Sequence, residues 1–377
     1  MIMIERWLTP QIEGNITKQK VGLLLGARRV GKTALLQSIT QKTSLKVLWL
    51  NGEDAATESL LKERTVSNYR RLLQGYNLLI IDEAQYINDI GLKAKLMIDE
   101  IQPLHILLTG SSAFNLHQSG ETLTGRTITY HLHPLTQMEF RKQENLLQTK
   151  QHLEDRLVYG SYPETINLVT AIEKESYLKE LISIFLLKDI LAFENIRNPQ
   201  KLKDLLALLA HQIGTEVSLH ELGRQLSISK NTVEKYLDLL EKVYLIYRRK
   251  GFSRNMRKEI AKSNRWYFYD NGIRNAVIGN FNFLSLRQDT GMLWENYFIT
   301  ERLKRNSYTG YHANSYFWRT YDQQEIDLIE EKNDTLNAFE CKWKEKRIKV
   351  PAAFAKAYPG ASFHQVHPNN YLSWIEE

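Results

Sequence analysis

The stretch that decides the N-terminal fold is Val21-Gly22-Leu23-Leu24-Leu25-Gly26-Ala27-Arg28-Arg29-Val30-Gly31-Lys32-Thr33. Its second part fits the pattern G-x-x-x-x-G-K-[ST] without a mismatch. The apolar run 21–25 comes before this loop, and a helical stretch follows from Ala34. A strand, a glycine loop and a helix in this order are the context that a phosphate-binding loop requires, so the stretch predicts a nucleotide site.

Each residue type in the loop has a physical task. Glycines let backbone N–H groups turn toward phosphate oxygens, and the N-terminus of the following helix adds partial positive charge. We expect Lys32 to reach the β- and γ-phosphates and the Thr33 hydroxyl to hold Mg²⁺. Arg28 and Arg29 are further candidates for contacts with phosphate or DNA. The predicted phosphate contacts come from Gly26, Ala27, Arg28, Arg29, Val30, Gly31, Lys32 and Thr33.

The composition argues against several classes of protein. The 377 residues include one cysteine, Cys341, so an intrachain disulfide cannot form and a reducing compartment is favoured. The start of the chain lacks a basic segment followed by a long apolar core, and the apolar stretch 181–187 is too short to cross a bilayer. We therefore expect a cytoplasmic protein that makes no membrane contact. A net charge of +7 permits a polyanionic partner without requiring one.

A second element of the nucleotide site follows further along the chain. Four apolar residues, 78–81, run directly into Asp82 and Glu83. Asp82 would hold Mg²⁺ through the water shell of the metal, and Glu83 would polarise the water that attacks the γ-phosphate. The alternative is a buried strand whose acids only begin a loop. Because the glycine loop is already present, we favour the catalytic interpretation.

Two later strands complete the predicted sheet. Strand 105–108 ends in polar residues that begin at Thr109, and strand 127–132 follows Arg126. Arg126 is a candidate arginine finger, because a guanidinium can neutralise charge on a transferred phosphoryl group. The alternative is a solvated surface charge. Strands that alternate with helices predict an α/β fold whose parallel sheet is covered on both faces.

Together these stretches resemble the AAA_14 ATPases, which are prokaryotic AAA+-like proteins usually followed by a DUF4143 domain. The resemblance is carried by residues 26–33, 82–85, 109–112, 125–126 and 133–140. It implies ATP as the nucleotide and a cytoplasmic location. In the AAA+ class, polar side chains at the end of the strand that corresponds to 105–108 sense the γ-phosphate, which implies that role for Thr109 or Ser111.

The middle of the chain predicts helices and a DNA-binding motif. Residues 136–210 carry apolar side chains at every third or fourth position, which is typical of helices. Ser218 and Ser229 each precede a further helix, and a strand follows from Val243, as in a winged helix-turn-helix. The alternative is a winged helix that only joins domains or binds protein. The predicted DNA contacts are Lys230, Asn231, Lys235, Arg248 and Arg249.

The C-terminal part contains a predicted hairpin with opposed acids. Polar and apolar residues alternate on both sides of residues 333–334, which is typical of paired strands. A two-residue turn at 333–334 would place Asp327 directly opposite Glu340. Because side chains on a strand alternate between faces, Lys342 would share the face of Glu340. Glu295, on a predicted helix, is available to the same site.

This arrangement resembles the D…ExK site of the PD-(D/E)xK nuclease fold. The resemblance implies that Asp327 and Glu340 bind Mg²⁺. It implies that Lys342 orients the attacking water or stabilises charge, and that Glu295 completes the metal shell or steers the water. The alternative is a cross-strand salt bridge on a solvated face. Folds of this type are also often retained for binding after catalysis is lost.

The whole sequence therefore predicts an α/β chain in which an ATPase controls DNA-directed domains. We expect nucleotide state to be coupled to a DNA-binding winged helix and a nuclease-like domain. The alternative is a regulatory switch or a protein-remodelling factor with a protein partner. The expected ligands are ATP, Mg²⁺ and DNA, and a homo-oligomer would let Arg126 act on a neighbouring subunit. The predicted segments are an AAA+-like P-loop ATPase core (1–135), a helical linker (136–210), a winged helix (211–260) and a mixed α/β, restriction-endonuclease-like DUF4143 domain (261–377).

Overall fold

The computed structural model describes residues 4–110, 123–186, 190, 196, 198–253 and 264–376. Two units make up this chain. The first contains residues 4–134 together with Lys242–Tyr244, and the second contains Leu135–Glu241 and residues 245–376. Within these described ranges, no helix is both long enough and apolar enough to cross a membrane.

The first unit is built on a five-stranded parallel sheet. Its strands are Val21–Leu25 (β1), Val47–Asn51 (β2), Leu78–Asp82 (β3), His105–Gly110 (β4) and Thr127–His131 (β5). Their order across the sheet is β2-β3-β4-β1-β5. Every residue of β1 and β3 is buried, as expected for parallel strands covered on both faces. The predicted parallel sheet is confirmed.

Helices and sheet of the first unit enclose one apolar core. The helices are Thr9–Asn15 (α1), Lys32–Lys42 (α2), Ala55–Leu61 (α3), Val66–Leu72 (α4) and Ile90–Glu100 (α5). Leu23, Ile81 and Met97 belong to the same buried cluster. Burying a side chain of this size contributes about 1.5–3 kcal/mol. This packing fixes the ends of β1 and β3, which carry the candidate nucleotide residues.

The second unit contains a seven-stranded mixed sheet. Its strands are Glu216–Val217 (β6), Ile246–Gly251 (β7), Asn264–Phe268 (β8), Asn314–Arg319 (β9), Glu325–Lys332 (β10), Thr335–Cys341 (β11) and Ser362–Val366 (β12). Their order is β12-β11-β10-β9-β7-β8-β6. The pairs β7–β9 and β11–β12 are parallel, and the other pairs are antiparallel.

The predicted boundary at residue 261 does not separate two bodies. β7 pairs with β8 on one side and with β9 on the other. The segment expected to form a separate winged helix therefore shares backbone hydrogen bonds with the C-terminal segment. Local sequence patterns do not reveal this pairing, because they describe a strand and not its neighbours in the sheet.

The helices of the second unit come before, between and after the strands of its sheet in the sequence. They are Gln137–Phe140 (α6), Leu146–Tyr159 (α7), Pro163–Asn167 (α8), Ala171–Glu180 (α9), Pro199–His211 (α10), Leu219–Leu226 (α11), Lys230–Lys242 (α12), Asn271–Ile278 (α13), Thr290–Thr309 (α14), Ala352–Ala357 (α15) and Leu372–Ile375 (α16), with a π-helical segment at Leu181–Leu186. The helix α14 packs against β8 and β11. It therefore brings Glu295 to the sheet.

The predicted helix pair α11–α12 is present. The Ser218 hydroxyl accepts from a backbone N–H in the first turn of α11, and the Ser229 hydroxyl accepts from Thr232 N–H at 3.1 Å. A Cβ on Gly223 would lie 2.8 Å from the Ile228 carbonyl oxygen. Glycine therefore permits the close approach of the turn to the first helix.

The hairpin β10–β11 has the predicted register. Residues 333 and 334 have φ values of 49° and 61°, the left-handed conformation that a type I′ turn requires. Leu328 pairs with Phe339, and these two residues are the immediate chain neighbours of Asp327 and Glu340. The predicted opposition of these two acids is therefore consistent with the observed ladder.

Candidate functional site

The predicted phosphate loop joins β1 to α2. Arg29 and Gly31 have φ values of 62° and 95°, so the backbone enters the left-handed region twice before α2. A Cβ on Gly26 would lie 2.2 Å from the Leu132 carbonyl oxygen, which only glycine avoids. Lys32 Nζ donates to the Gly26 carbonyl oxygen at 2.9 Å, and the lysine is buried. The ammonium group therefore lies over the loop.

The Asp82 carboxylate links this loop to two neighbouring elements. Thr33 Oγ1 donates to Asp82 Oδ2 at 2.7 Å, and Thr109 Oγ1 donates to Asp82 Oδ1. The convergence follows from the strand order, because the carboxyl ends of β3 and β4 meet beside the start of α2. A hydroxyl and a carboxylate in contact are oxygen ligands of the kind that Mg²⁺ prefers. The pair therefore fits the metal of Mg·ATP.

Glu83 is held beside Asp82 by its neighbours. Its φ is 51°, and Gln85 Nε2 donates to Glu83 Oε2 at 2.5 Å. The backbone N–H of Glu83 donates to Thr109 Oγ1 at 2.9 Å. Sequence reasoning assigned no role to Gln85, although its place directly after Asp-Glu-Ala was an available signal. The structure makes Gln85 the residue that orients the Glu83 carboxylate.

Thr109 bonds both Asp82 and Glu83 in the structure. Its side chain is fully buried, its hydroxyl proton goes to Asp82, and its oxygen accepts from Glu83 N–H. A hydroxyl carries one proton, so it cannot donate to a γ-phosphate in the same arrangement. In this arrangement the Thr109 hydroxyl positions Asp82, and its role as a γ-phosphate sensor stays a prediction. Ser111, the other candidate sensor, lies outside the described residues.

Arg126 lies at the edge of the sheet opposite the phosphate loop. Val21 N–H donates to the Arg126 carbonyl oxygen at 2.7 Å, at the first residue of β1. The loop follows Leu25 at the other end of β1, roughly 15 Å away at about 3.3 Å per residue. The side chain instead bonds Asp99 Oδ1 at 2.7 Å. Arg126 therefore cannot serve its own chain's nucleotide site, and a role in a neighbouring subunit stays a prediction.

The two arginines of the loop have different surroundings. Arg28 Nη2 donates to Tyr86 OH at 2.9 Å and lies 3.8 Å from the Glu53 carboxylate. Arg29 is exposed. Of the two, Arg29 is the better placed to meet a ligand that approaches from solvent.

The predicted residues of the C-terminal site come close together in the second unit. Lys342 Nζ donates to Glu340 Oε1 at 2.7 Å, and Asp327 Oδ2 accepts from Cys341 N–H at 2.8 Å. Glu295 Oε1, on α14, accepts from Tyr267 OH at 2.8 Å. We call Glu295, Glu325, Asp327, Glu340 and Lys342, together with Arg265, the acidic cluster.

Arg265 is the member of the acidic cluster that sequence reasoning missed. Its guanidinium lies 3.8 Å from Glu295, 3.7 Å from Asp327 and 2.8 Å from Glu325. Its side chain is buried, with the guanidinium 4.6 Å from the centre of the Phe317 ring. No local sequence signal pointed to this role, because Arg265 lies on β8, far along the chain from the strands that carry Asp327 and Glu340.

This arrangement differs from the expected metal site of Glu295, Asp327 and Glu340. Within the described ranges, no group of three or more histidine, cysteine, aspartate or glutamate side chains could hold a metal ion. Arg265 lies within 4 Å of Glu295 and Asp327 and partly neutralises these two acids. The four predicted residues are neighbours, but they do not fit the predicted three-carboxylate metal shell.

Burial raises the pKa of three carboxyls of the cluster, Glu295, Asp327 and Glu340. Burial, and then the charge of Asp327, raises the pKa of Glu340 to about 7. Burial, and then Asp327, also raises the pKa of Glu295, and burial raises the pKa of Asp327 itself. Arg265 opposes the rise at Glu295 and Asp327 but does not cancel it. Arg265 and Lys342 therefore neutralise these acids only in part.

The predicted DNA contacts divide into two groups. Lys230, Asn231 and Lys235 are exposed on α12, and Arg248 is exposed on β7. Arg249 is 8% exposed, with its guanidinium 5.3 Å from the centre of the Tyr247 ring. Side chains on β7 alternate, so Arg249 faces the covered side of the sheet. Its predicted contact with DNA is therefore not supported.

Three family models match different parts of the chain. Residues 18–141 match AAA_14, an AAA domain. Residues 290–373 match DUF4143, and residues 150–284 match DUF8612, both described as domains of unknown function. These matches confirm the resemblance to AAA_14 ATPases that carry a DUF4143 domain.

Relatives extend over most of the chain. An uncharacterised protein of Haemophilus influenzae is 27% identical over 369 residues, covering 89% of this chain and 85% of the relative. An uncharacterised protein of Mycobacterium tuberculosis is 26% identical over 349 residues, covering 91% and 74%.

Solved structures show weaker similarity. The Walker-type ATPase of Pyrococcus abyssi is 17% identical with a TM-score of 0.49, covering 73% of this chain and 96% of that structure. The RuvB Holliday junction branch migration motor of Thermotoga maritima is 15% identical with a TM-score of 0.32, covering 65% and 90%. At these scores the family models, and not the structures, carry the assignment.

Proposed function

The chain contains an AAA domain of the AAA_14 family and a DUF4143 domain, and we propose that the AAA domain binds and hydrolyses Mg·ATP. The proposal is carried by the Asp82 carboxylate, which contacts Thr33 at the start of α2 and Thr109 at the end of β4. These contacts set oxygen ligands for Mg²⁺ beside a phosphate loop.

Each residue of the site has a defined part in this reaction. Mg²⁺, when bound with ATP, would neutralise phosphate charge. Lys32 would exchange its carbonyl partners for β- and γ-phosphate oxygens, and N–H groups of the first turn of α2 would bind the same oxygens. Glu83, held by Gln85, would orient the attacking water.

Equilibrium binding of a fluorescent ATP analogue tests the proposal. Lys32→Ala should lower the affinity at least about tenfold, which corresponds to about 1.4 kcal/mol. Lys42→Ala is the matched control, because Lys42 is exposed in the last turn of the same helix. It should bind within about twofold of wild type. Unchanged affinity in Lys32→Ala would overturn the proposed site.

We further infer that nucleotide state controls DNA binding by the second unit. The support is the exposure of Lys230, Asn231 and Lys235 on the second helix of a helix-turn-helix pair. Lysines in this position neutralise phosphates, so duplex affinity should fall with salt. Duplex affinity should also differ between ATP- and ADP-loaded protein. Equal affinity in both states would contradict the coupling.

The acidic cluster favours a DNA-binding switch over a nuclease. Arg265 pairs with Glu295 and Asp327, and among the described residues no group of three or more acids could hold the metal that such a nuclease requires. The rival function, nuclease activity, is supported by the contact of Lys342 with Glu340.

Incubation with linear, supercoiled and branched DNA distinguishes the two functions. With Mg²⁺ or Mn²⁺, and with or without ATP, wild type should leave every substrate intact. Cleavage that disappears in Glu340→Ala would contradict the switch and establish the nuclease.

A further inference from the structure

A groove in the second unit is lined by residues that belong neither to the helix pair nor to the acidic cluster. Its volume is about 690 Å³, within the range of roughly 300–1,000 Å³ that small-molecule sites occupy. Its lining includes the ring of Trp343 and two exposed lysines, Lys150 and Lys344. We call it the Trp343 groove.

One wall of the groove is fixed by internal hydrogen bonds. Arg287 Nε donates to Asp289 at 2.8 Å, and its Nη1 donates to the Asn280 carbonyl oxygen at 2.6 Å. Glu154 accepts from Leu284 N–H at 3.0 Å. The Arg287 charge is therefore paired with Asp289, and the Glu154 carboxylate is held in place but keeps its negative charge.

The aromatic part of the groove is held from behind. Trp343 is half-buried, and its ring packs edge-on against the buried Trp294, with ring centres 5.9 Å apart and an interplanar angle of 63°. A ring that is anchored on one side and open on the other offers a flat surface for stacking. Base stacking on such a ring is the main source of affinity in many single-strand sites.

The charges of the groove favour an anion. In the described part of the chain, neither Lys150 nor Lys344 makes an ion pair or a side-chain hydrogen bond. Residues 345–349 add further exposed charge, with three cations and one carboxylate in this stretch. Cations at a concave surface raise the local concentration of polyanions.

We propose that the Trp343 groove binds a single strand of nucleic acid. One base stacks on Trp343, and phosphates lie at Lys150 and Lys344. An unpaired strand is required because bases in a duplex keep their faces stacked inside it. An acidic protein segment would satisfy the lysines but would bring no base to the ring. This inference rests on the proposed DNA-directed role of the second unit.

Fluorescence anisotropy of a labelled (dT)12 strand with the full chain, in EDTA, tests the proposal. Trp343→Leu should weaken binding about tenfold, because stacking of one base is lost, and Trp343→Tyr should restore it to within about threefold. Lys150→Glu and Lys344→Glu should each weaken binding at least about fivefold and reduce the salt slope by about 0.7 or more. Lys356→Glu is the matched control, because Lys356 is exposed on α15 outside the groove.

Parallel measurements make each outcome decisive. ATP affinity and thermal unfolding show whether a variant is folded, and a duplex of the same length reports on the helix pair. Loss of single-strand binding with duplex binding kept supports the groove. Single-strand binding that survives the groove variants but is lost in Lys230→Glu/Lys235→Glu overturns the groove and leaves the proposed function intact. If wild-type protein binds neither the single strand nor the duplex, both the groove proposal and the proposed DNA-binding function are overturned. Displacement by polyglutamate together with full affinity in Trp343→Leu also overturns the groove, and indicates an acidic protein segment.

Discussion

At the scale of single residues, Arg265 is the main departure from the sequence-based account. It shares the positive charge of the acidic cluster with Lys342, and three acids lie within 4 Å of it. The Arg265 side chain is only 4% exposed, so its charge would destabilise the fold if the acids were absent. The buried acids would likewise destabilise the fold without the arginine.

Replacing Arg265 should therefore destabilise the protein strongly. Arg265→Met removes the charge but keeps much of the apolar volume, and should lower the free energy of unfolding by about 3–5 kcal/mol. Arg347→Met, at an exposed position, is the control and should change it by less than about 0.5 kcal/mol. Urea unfolding at neutral pH measures both. A small effect at Arg265 would show that the acids do not depend on it.

Thr109 provides a second prediction at this scale. Thr109→Val keeps the shape of the side chain but removes the hydrogen bonds to Asp82 and Glu83. Loss of a residue that orients a metal ligand typically costs 10–100-fold in metal affinity. We expect the Mg²⁺ concentration that half-saturates ATP binding to rise at least about tenfold. Thr40→Val is the control, because the Thr40 hydroxyl bonds the Gln37 carbonyl oxygen at the surface of α2, and it should leave this concentration unchanged. An equal loss of ATP affinity without Mg²⁺ would contradict a positioning role.

At the scale of secondary structure, Asp270 precedes α13 and receives two backbone N–H groups. Its carboxylate accepts from Ile273 N–H at 3.1 Å and from Ser161 N–H at 2.7 Å. Burial raises its pKa from 3.8 to about 6. Between these values the folded chain keeps a proton that the unfolded chain has lost, so stability should fall as the pH rises from about 4 to about 6.

Comparison with Asp270→Asn measures this contribution. A shift of this size corresponds to about 3 kcal/mol. The free energy of unfolding of wild type minus that of Asp270→Asn should therefore decrease by about 2 kcal/mol between pH 4 and pH 6.5, since the rest of the change lies outside this window. Asp322→Asn, at an exposed position, should show no such change. A difference that is independent of pH would contradict the raised pKa.

The turn of the helix pair gives a further prediction at this scale. A Cβ at Gly223 would meet the Ile228 carbonyl oxygen at 2.8 Å, so Gly223→Ala should push the turn away from α11. Overpacking of this kind costs about 1–3 kcal/mol. Gly291→Ala is the control, because nothing lies within 4 Å of a Cβ there. Equal stability of the two variants in urea unfolding would contradict the close approach.

The same elements show what local sequence can and cannot predict. The register of β10 and β11 was predictable because a two-residue turn fixes the opposition of every later pair. The contact of Asp82 with Thr33 was implied by the two nucleotide motifs. The places of Arg249 and Arg265 were not predictable, because they depend on the order of strands from distant parts of the chain.

At the scale of the whole molecule, the two units carry different parts of one proposed activity. The first holds the phosphate loop, Asp82 and Glu83, and the second holds the helix pair, the acidic cluster and the Trp343 groove. The match to AAA_14 covers most of the first unit and ends just inside the second, and the match to DUF4143 lies in the second unit. ATP hydrolysis is the claim on which the proposed control of DNA binding depends.

Phosphate release from Mg·ATP by wild type and Glu83→Gln tests this claim most directly. Glu83→Gln keeps the size of the side chain but loses the charge that orients water, so hydrolysis should fall at least about 100-fold while ATP affinity stays within about threefold. Glu63→Gln, at an exposed position of the same unit, should behave as wild type. Hydrolysis by Glu83→Gln at the wild-type rate, or none by wild type, would contradict the account.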